Sequence, residues 1–220
     1  MDLFGLTPKS VAERAHLSGG ETRMPSLSRS IWFGGLSFCL ASLLVFATVA
    51  FGERWMYRNL GLPGAYAVWT ILFILAGGGA LSPLVIGPKR LGRFYLLFSA
   101  AFLLYAVGWI TAYFILRNRL GEWVGSLAGT ILMGLVLALA FGARRVAPRL
   151  ILILFIANSA GYFLGDFLNN AIGGRAGMMS WGAAFGLGLG AGLGFALFVA
   201  QTAVRALLAK GSVVDAGSDA

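Results

Sequence analysis

The chain has 220 residues, 59% of them hydrophobic and 11% charged, with a mean hydropathy of +0.84 and a formal net charge of +9. So little polar surface cannot cover a water-soluble globule, and part of the solvent around this protein is lipid. The positive charge does not point to nucleic acid, because the basic residues lie at the ends of apolar segments rather than on one aromatic-lined face.

Residues 1–30 are polar and basic, with no apolar run of the kind that precedes a cleavage site, so no cleavable signal peptide is expected. Thr7-Pro8 can open a short surface helix running through Leu17, with Thr7 as N-cap and Ser18-Gly19-Gly20 as its stop. A disordered tail is the competing expectation.

Six apolar stretches follow, at 31–51, 64–86, 94–116, 123–142, 149–169 and 181–204. Each approaches or exceeds the roughly 20 residues that a helix needs to cross a bilayer core. Lipid offers no partner to open backbone groups, and the stretches lack the alternation of a membrane barrel, so the fold class is all-α: a polytopic bundle of six transmembrane helices. Residues 205–220 form a second tail, expected to be disordered from Gly211 onward. Twelve Lys and Arg residues fall at one set of span ends, including Lys9, Arg14, Arg23, Arg93, Arg145 and Lys210. Five fall at the other, namely Arg54, Arg58, Arg117, Arg119 and Arg175. Basic residues are retained on the cytoplasmic side, so both termini should be cytoplasmic, in a membrane of the bacterial inner type.

Within the spans, Cys39 reads as a packing residue. In the second span Gly77-Gly78-Gly79 and Ser82-Pro83 are expected to loosen or kink the helix. The third carries Tyr105, Trp109 and Tyr113 at spacings of four, with Tyr105 near the midplane. The fourth carries Gly121, Gly125 and Gly129, and the sixth Gly182, Gly186, Gly190 and Gly194 beside a second small-residue row; these rows predict close helix packing. Glu122 is expected to cap the fourth helix.

The fifth span holds the most suggestive polar feature, Asn158, Tyr162, Asp166 and Asn169 on one helical face. Intramembrane polar groups mark pathways or interhelical hydrogen bonds, and Asp166 could pair with Arg175. Catalytic, metal and cofactor chemistry finds no support: the single histidine, His16, lies in the tail, Cys39 is alone, and no inward acidic pair exists, so the protein is not expected to be an enzyme. The leading expectation is movement of a small polar solute or ion along the fifth helix, with Asn158, Tyr162, Asp166, Asn169 and Tyr105 as binding residues. The alternative is a noncatalytic subunit or assembly factor that meets a membrane-protein partner, or a second copy, through its glycine faces.

Overall fold

The computed structural model describes residues 2–18 and 24–218, with side chains through Lys210. Gly19, Gly20 and Arg23 lie outside the described residues, as do Asp219 and Ala220. The elements are α1 (Pro8–Ser18), α2 (Leu27–Leu81), α3 (Arg90–Leu116), α4 (Arg119–Ala140), α5 (Ala147–Ile172), α6 (Gly174–Ala200) and α7 (Thr202–Ser218), with short 3-10 turns at Ser82–Leu84 and Arg144–Val146. Among the described residues, five helices are long and apolar enough to cross a membrane.

The 55-residue α2 would span about 80 Å if straight, at 1.5 Å per residue. It breaks at Gly61, whose φ of 65° and ψ of 178° belong to a region that essentially only glycine occupies. Its arms, 27–60 and 62–81, fold back on each other. Phe38 stacks on Phe73 with ring centroids 5.9 Å apart, although these residues lie 35 positions apart along one helix. The reversal therefore falls at Gly61, and Gly61→Ala is expected to destabilise the protein by about 1–3 kcal/mol. Chemical or detergent unfolding midpoints would measure that loss, and an unchanged midpoint would show that the turn tolerates a side chain.

The glycine triplet, in contrast, does not kink α2, which stays helical to Leu81. A β-carbon at Gly77 would meet Phe38 and Phe98, and one at Gly78 would meet Tyr95. The triplet is a flat seat for three rings, and the Tyr95 hydroxyl donates to the Leu75 carbonyl at 2.7 Å. The helix of the second span also stops five residues before Ile86, passing into the turn at Ser82–Leu84.

The membrane-length helices pack in a closed ring: α2 on α6, α6 on α5, α5 on α4, α4 on α3, and α3 back on α2. Glycines make two of these contacts close. Gly182, Gly186 and Gly190 abut Phe46, Ser42 and Gly34 of α2, while Gly188 and Gly192 abut Ala157 of α5. In α4, Gly125 faces the backbone of Trp109 and Gly129 the ring of Tyr105. Gly121 lies against Leu116. The small faces of α6 are thus occupied by helices of the same chain.

The first tail is structured at its helix. Pro8 begins α1, the Val11 N–H donates to the Thr7 carbonyl at 3.0 Å, and Val11 packs with Ile86, Val204 and Leu208. Burial alone would raise the Asp2 carboxyl, but hydrogen bonds from Ser10 and Thr7 outweigh it and hold Asp2 below the usual carboxylate range. The chain also stays helical where a disordered second tail was expected, bending at Gln201 and continuing as α7. The Gln201 side chain is buried there; it accepts from the Ile86 N–H at 2.7 Å and donates to the Leu84 carbonyl at 3.1 Å. These contacts bring α1, α7 and the connection after α2 to one end of the bundle. Gly61, Arg117 and Gly173 lie at the connections of the other end.

Candidate binding cavity

Polar groups inside the ring meet first at Asn158. Its side chain is fully buried, accepts from the Tyr105 hydroxyl at 2.8 Å and donates to Ser126 Oγ at 2.8 Å. Ser126 and Ser159 share a further hydrogen bond of 2.8 Å, and Thr130 donates to the Ser126 carbonyl at 2.7 Å. One amide therefore joins α3, α4 and α5. A buried amide satisfied on both its oxygen and its nitrogen acts as an interhelical fastener.

The rest of the α5 row separates. Asp166 accepts from Arg119 at 2.8 Å, and Arg119 also reaches Glu122 at 3.3 Å, so Arg119 rather than Arg175 is the partner of Asp166. Arg175 instead lies over the Phe51 ring at 4.9 Å. Glu122 is not the cap of α4; Asn118 is, accepting from the Gly121 N–H at 3.0 Å. Asn169 sits at the α5–α6 connection, where its carbonyl accepts from the Gly173 N–H at 2.9 Å. Of this row, Tyr162 is the residue that lines the cavity described next.

That cavity, of about 230 Å³, lies within the helix ring. The arms of α2 supply Val45, Phe46 and Val49 from one side and Tyr66, Trp69, Thr70 and Phe73 from the other. Across from them α3 contributes Tyr105 and Trp109, α5 contributes Tyr162, and α6 contributes Trp181 and Phe185. Tyr105 links cavity and network, with its ring on the cavity and its hydroxyl on Asn158. Glycines set these rings in place: Gly165 leaves room for Trp181, and Gly129 leaves room for Tyr105. The rings also brace one another, Trp109 with Tyr113 at 5.2 Å and Tyr162 with both Trp109 and Trp181 at 5.5 Å.

The cavity wall is mainly aromatic and apolar, and among the described residues no charged side chain lines it. Trp69, Trp109 and Trp181 contribute to the wall, while their indole nitrogens are buried without a hydrogen-bond acceptor. A polar recess of about 390 Å³, holding Glu53, Arg54 and Arg175, lies next to it and shares Val49.

Of these residues, Tyr66, Trp69 and Trp181 are not singled out by sequence pattern, nor are Ser126, Ser159 and Gln201. A faint signal exists for Ser126 and Thr130, which stand four apart beside the glycine row of α4.

Ring packing, helix length and hydropathy together define a multi-pass α-helical membrane protein associated with a lipid bilayer. No protein-family model, curated protein or solved structure matches the chain.

Proposed function

We propose that this protein is a noncatalytic carrier that admits a small solute from the non-cytoplasmic side into the aromatic cavity. In this reading each arm of α2 is a separate crossing, giving six, with both termini cytoplasmic in a bacterial-type inner membrane. The fold-back at Gly61, the meeting of α1 and α7 at one end, and the twelve-to-five division of basic residues support that topology.

The observation that carries the functional reading is the cavity itself: a space inside the helix ring, in the half away from the termini, walled by mainly apolar and aromatic residues of four helices. Ligand sites favour concave apolar surfaces with a few polar groups, and spaces between bundle helices are a preferred location. The bonded state of Asn158 favours a route through the cavity over one along the α5 row, with the Asn158 network as its floor.

A reporter cysteine at Ala106, which lines the cavity, tests this in a Cys39→Ala background. A small membrane-impermeant thiol reagent should label it in vesicles exposing the non-cytoplasmic face and not in inverted vesicles. Protection in both orientations would overturn the carrier reading, and labelling only in inverted vesicles would reverse the topology.

A further inference from the structure

Two spaces of opposite character adjoin at Val49. The inner cavity is walled by apolar and aromatic side chains, while the neighbouring recess is lined by the Arg54 and Arg175 guanidiniums and the Glu53 carboxylate. Both are built on the same two helices. The first arm of α2 gives Phe46 to the cavity, Val49 to both spaces and Glu53 to the recess, and α6 gives Trp181 to the cavity and Met178 and Arg175 to the recess. At 1.5 Å per residue, Phe46 to Glu53 and Trp181 to Arg175 each cover about 9–11 Å along a helix axis.

We infer that recess and cavity form one site for a small anionic amphiphile, with a carboxylate or phosphate group in the recess and a compact apolar body in the cavity. The assignment rests on the cavity being the binding site of the carrier. Charge sets the first half. Two guanidiniums stand against one carboxylate in the recess, and among the described residues neither Arg54 nor Arg175 makes an ion pair. Retention of basic residues on the cytoplasmic side does not account for them, because they lie at the opposite end of the bundle from α1 and α7. At that same end Arg119 is already paired, with Asp166 and Glu122. The helix α6 starts at Gly174, in the recess, without a side-chain cap, which adds the positive end of its dipole. Both guanidiniums are exposed, so an anion beside them keeps part of its water. Inside the cavity it would be stripped with no countercharge, a severe cost.

The cavity wall sets the second half. Apolar cavities stay dry and accept apolar molecules, and one of about 150 Å³ admits benzene. About 230 Å³ therefore takes a ring or a short chain, and is too small for both tails of a phospholipid. Of the two sources of such an anion, water and the bilayer, the volume favours a water-borne molecule.

The test uses the full chain in phosphatidylcholine nanodiscs, with empty nanodiscs correcting for partition into lipid, and fluorine NMR of three probes. These are para-fluorophenyl-butyrate, para-fluorophenyl-butanol and para-fluorophenyl-butyl-trimethylammonium, which share ring and chain and differ at the head. The butyrate should bind saturably and roughly tenfold more tightly than the butanol, equivalent to about 1.4 kcal/mol. Arg54→Gln and Arg175→Gln should each weaken the butyrate several-fold and leave the butanol unchanged. Arg58→Gln, a nearby arginine that does not line the recess, should leave both unchanged, and Glu53→Gln should tighten the butyrate. Ala106→Phe narrows the cavity and should weaken both probes, with Ile110→Phe giving the same comparison should Ala106→Phe fail to fold.

Equal binding of butyrate and butanol, or preference for the ammonium, would overturn the anionic class while leaving the cavity as a binding site. An equal loss for Arg58→Gln would show diffuse surface charge rather than a recess. Butyrate binding that ignores both cavity-narrowing variants would overturn the joint site. Anionic phospholipid counted in protein purified from cells separates the two sources: the parent should retain no more than the Arg54→Gln, Arg175→Gln double variant, and an excess would overturn the water-borne source in favour of a bilayer lipid. Saturable binding by none of the probes, with the Ala106 cysteine still labelled from the non-cytoplasmic side, would defeat this inference alone. The same failure with that cysteine protected would defeat the carrier reading as well.

Discussion

Gly190→Ala is expected to destabilise the bundle by about 3 kcal/mol, near the upper end of what overpacking commonly costs, through a single added methyl group. A β-carbon there would lie 2.5 Å from the Gly34 carbonyl oxygen and 2.6 Å from the Phe38 β-carbon. Neither can withdraw as a flexible side-chain tip could, because one is backbone and the other is fixed to it. The helices must separate, and separation loosens the contact that holds Phe46 against Trp181, ring centroids 6.0 Å apart, on the cavity wall. Gly52→Ala is the control: its β-carbon would meet nothing within 4 Å, so the same change should be neutral or stabilise by up to about 1 kcal/mol through helix propensity. Titration with dodecyl sulfate in mixed micelles, followed by tryptophan fluorescence, would report both. Equal midpoints for Gly190→Ala and the parent would mean that α2 and α6 do not approach as described.

The membrane class was legible from run length alone, because lipid imposes one rule on every crossing: satisfy the backbone within a helix. Helix ends were less legible. Residues 52–60 are charged and aromatic and look like a loop between spans, yet α2 remains helical through them, since arginine, glutamate, methionine and leucine are good helix formers. The signal for the turn is the Gly61-Leu62-Pro63-Gly64 run, and the structure uses its first glycine. The glycine triplet at 77–79 carries an equally strong breaker signal, but rings from α3 and from the other arm fill the space, and packing overrides propensity.

The site was less visible still, for a geometric reason. Periodicity within one helix shows which residues share a face, and it placed Asn158, Tyr162, Asp166 and Asn169 together. It does not show what stands opposite each turn of that face. The serine, tyrosine and arginine partners come from α3 and α4, and they divide the row into a fastener, one cavity residue and an ion pair. Trp69 and Trp181 resemble interfacial belt residues in sequence, being near span ends. Only the fold-back of α2 and the closeness of α5 to α6 turn them toward a shared space.

Asn158→Leu is the change that separates fastener from pathway. Leucine matches asparagine roughly in volume but offers no hydrogen bond, leaving the Tyr105 hydroxyl without its acceptor, while Ser126 retains Ser159. A buried orphan costs about 1–3 kcal/mol, and interhelical hydrogen bonds in lipid average about 0.6 with a maximum near 1.7 kcal/mol. The expected loss is therefore about 1.5 kcal/mol in the same unfolding assay. Tyr105→Phe removes the other half of the bond, so the double variant should lose less than the sum of the two single losses, with a coupling of about 1 kcal/mol. Because Asn158 lies behind the cavity floor, folded Asn158→Leu should leave thiol labelling of the Ala106 reporter cysteine at the parent's level. The opposite pattern, parental stability with binding or solute entry abolished, would restore Asn158 as a contact of the solute and return the pathway to the α5 row.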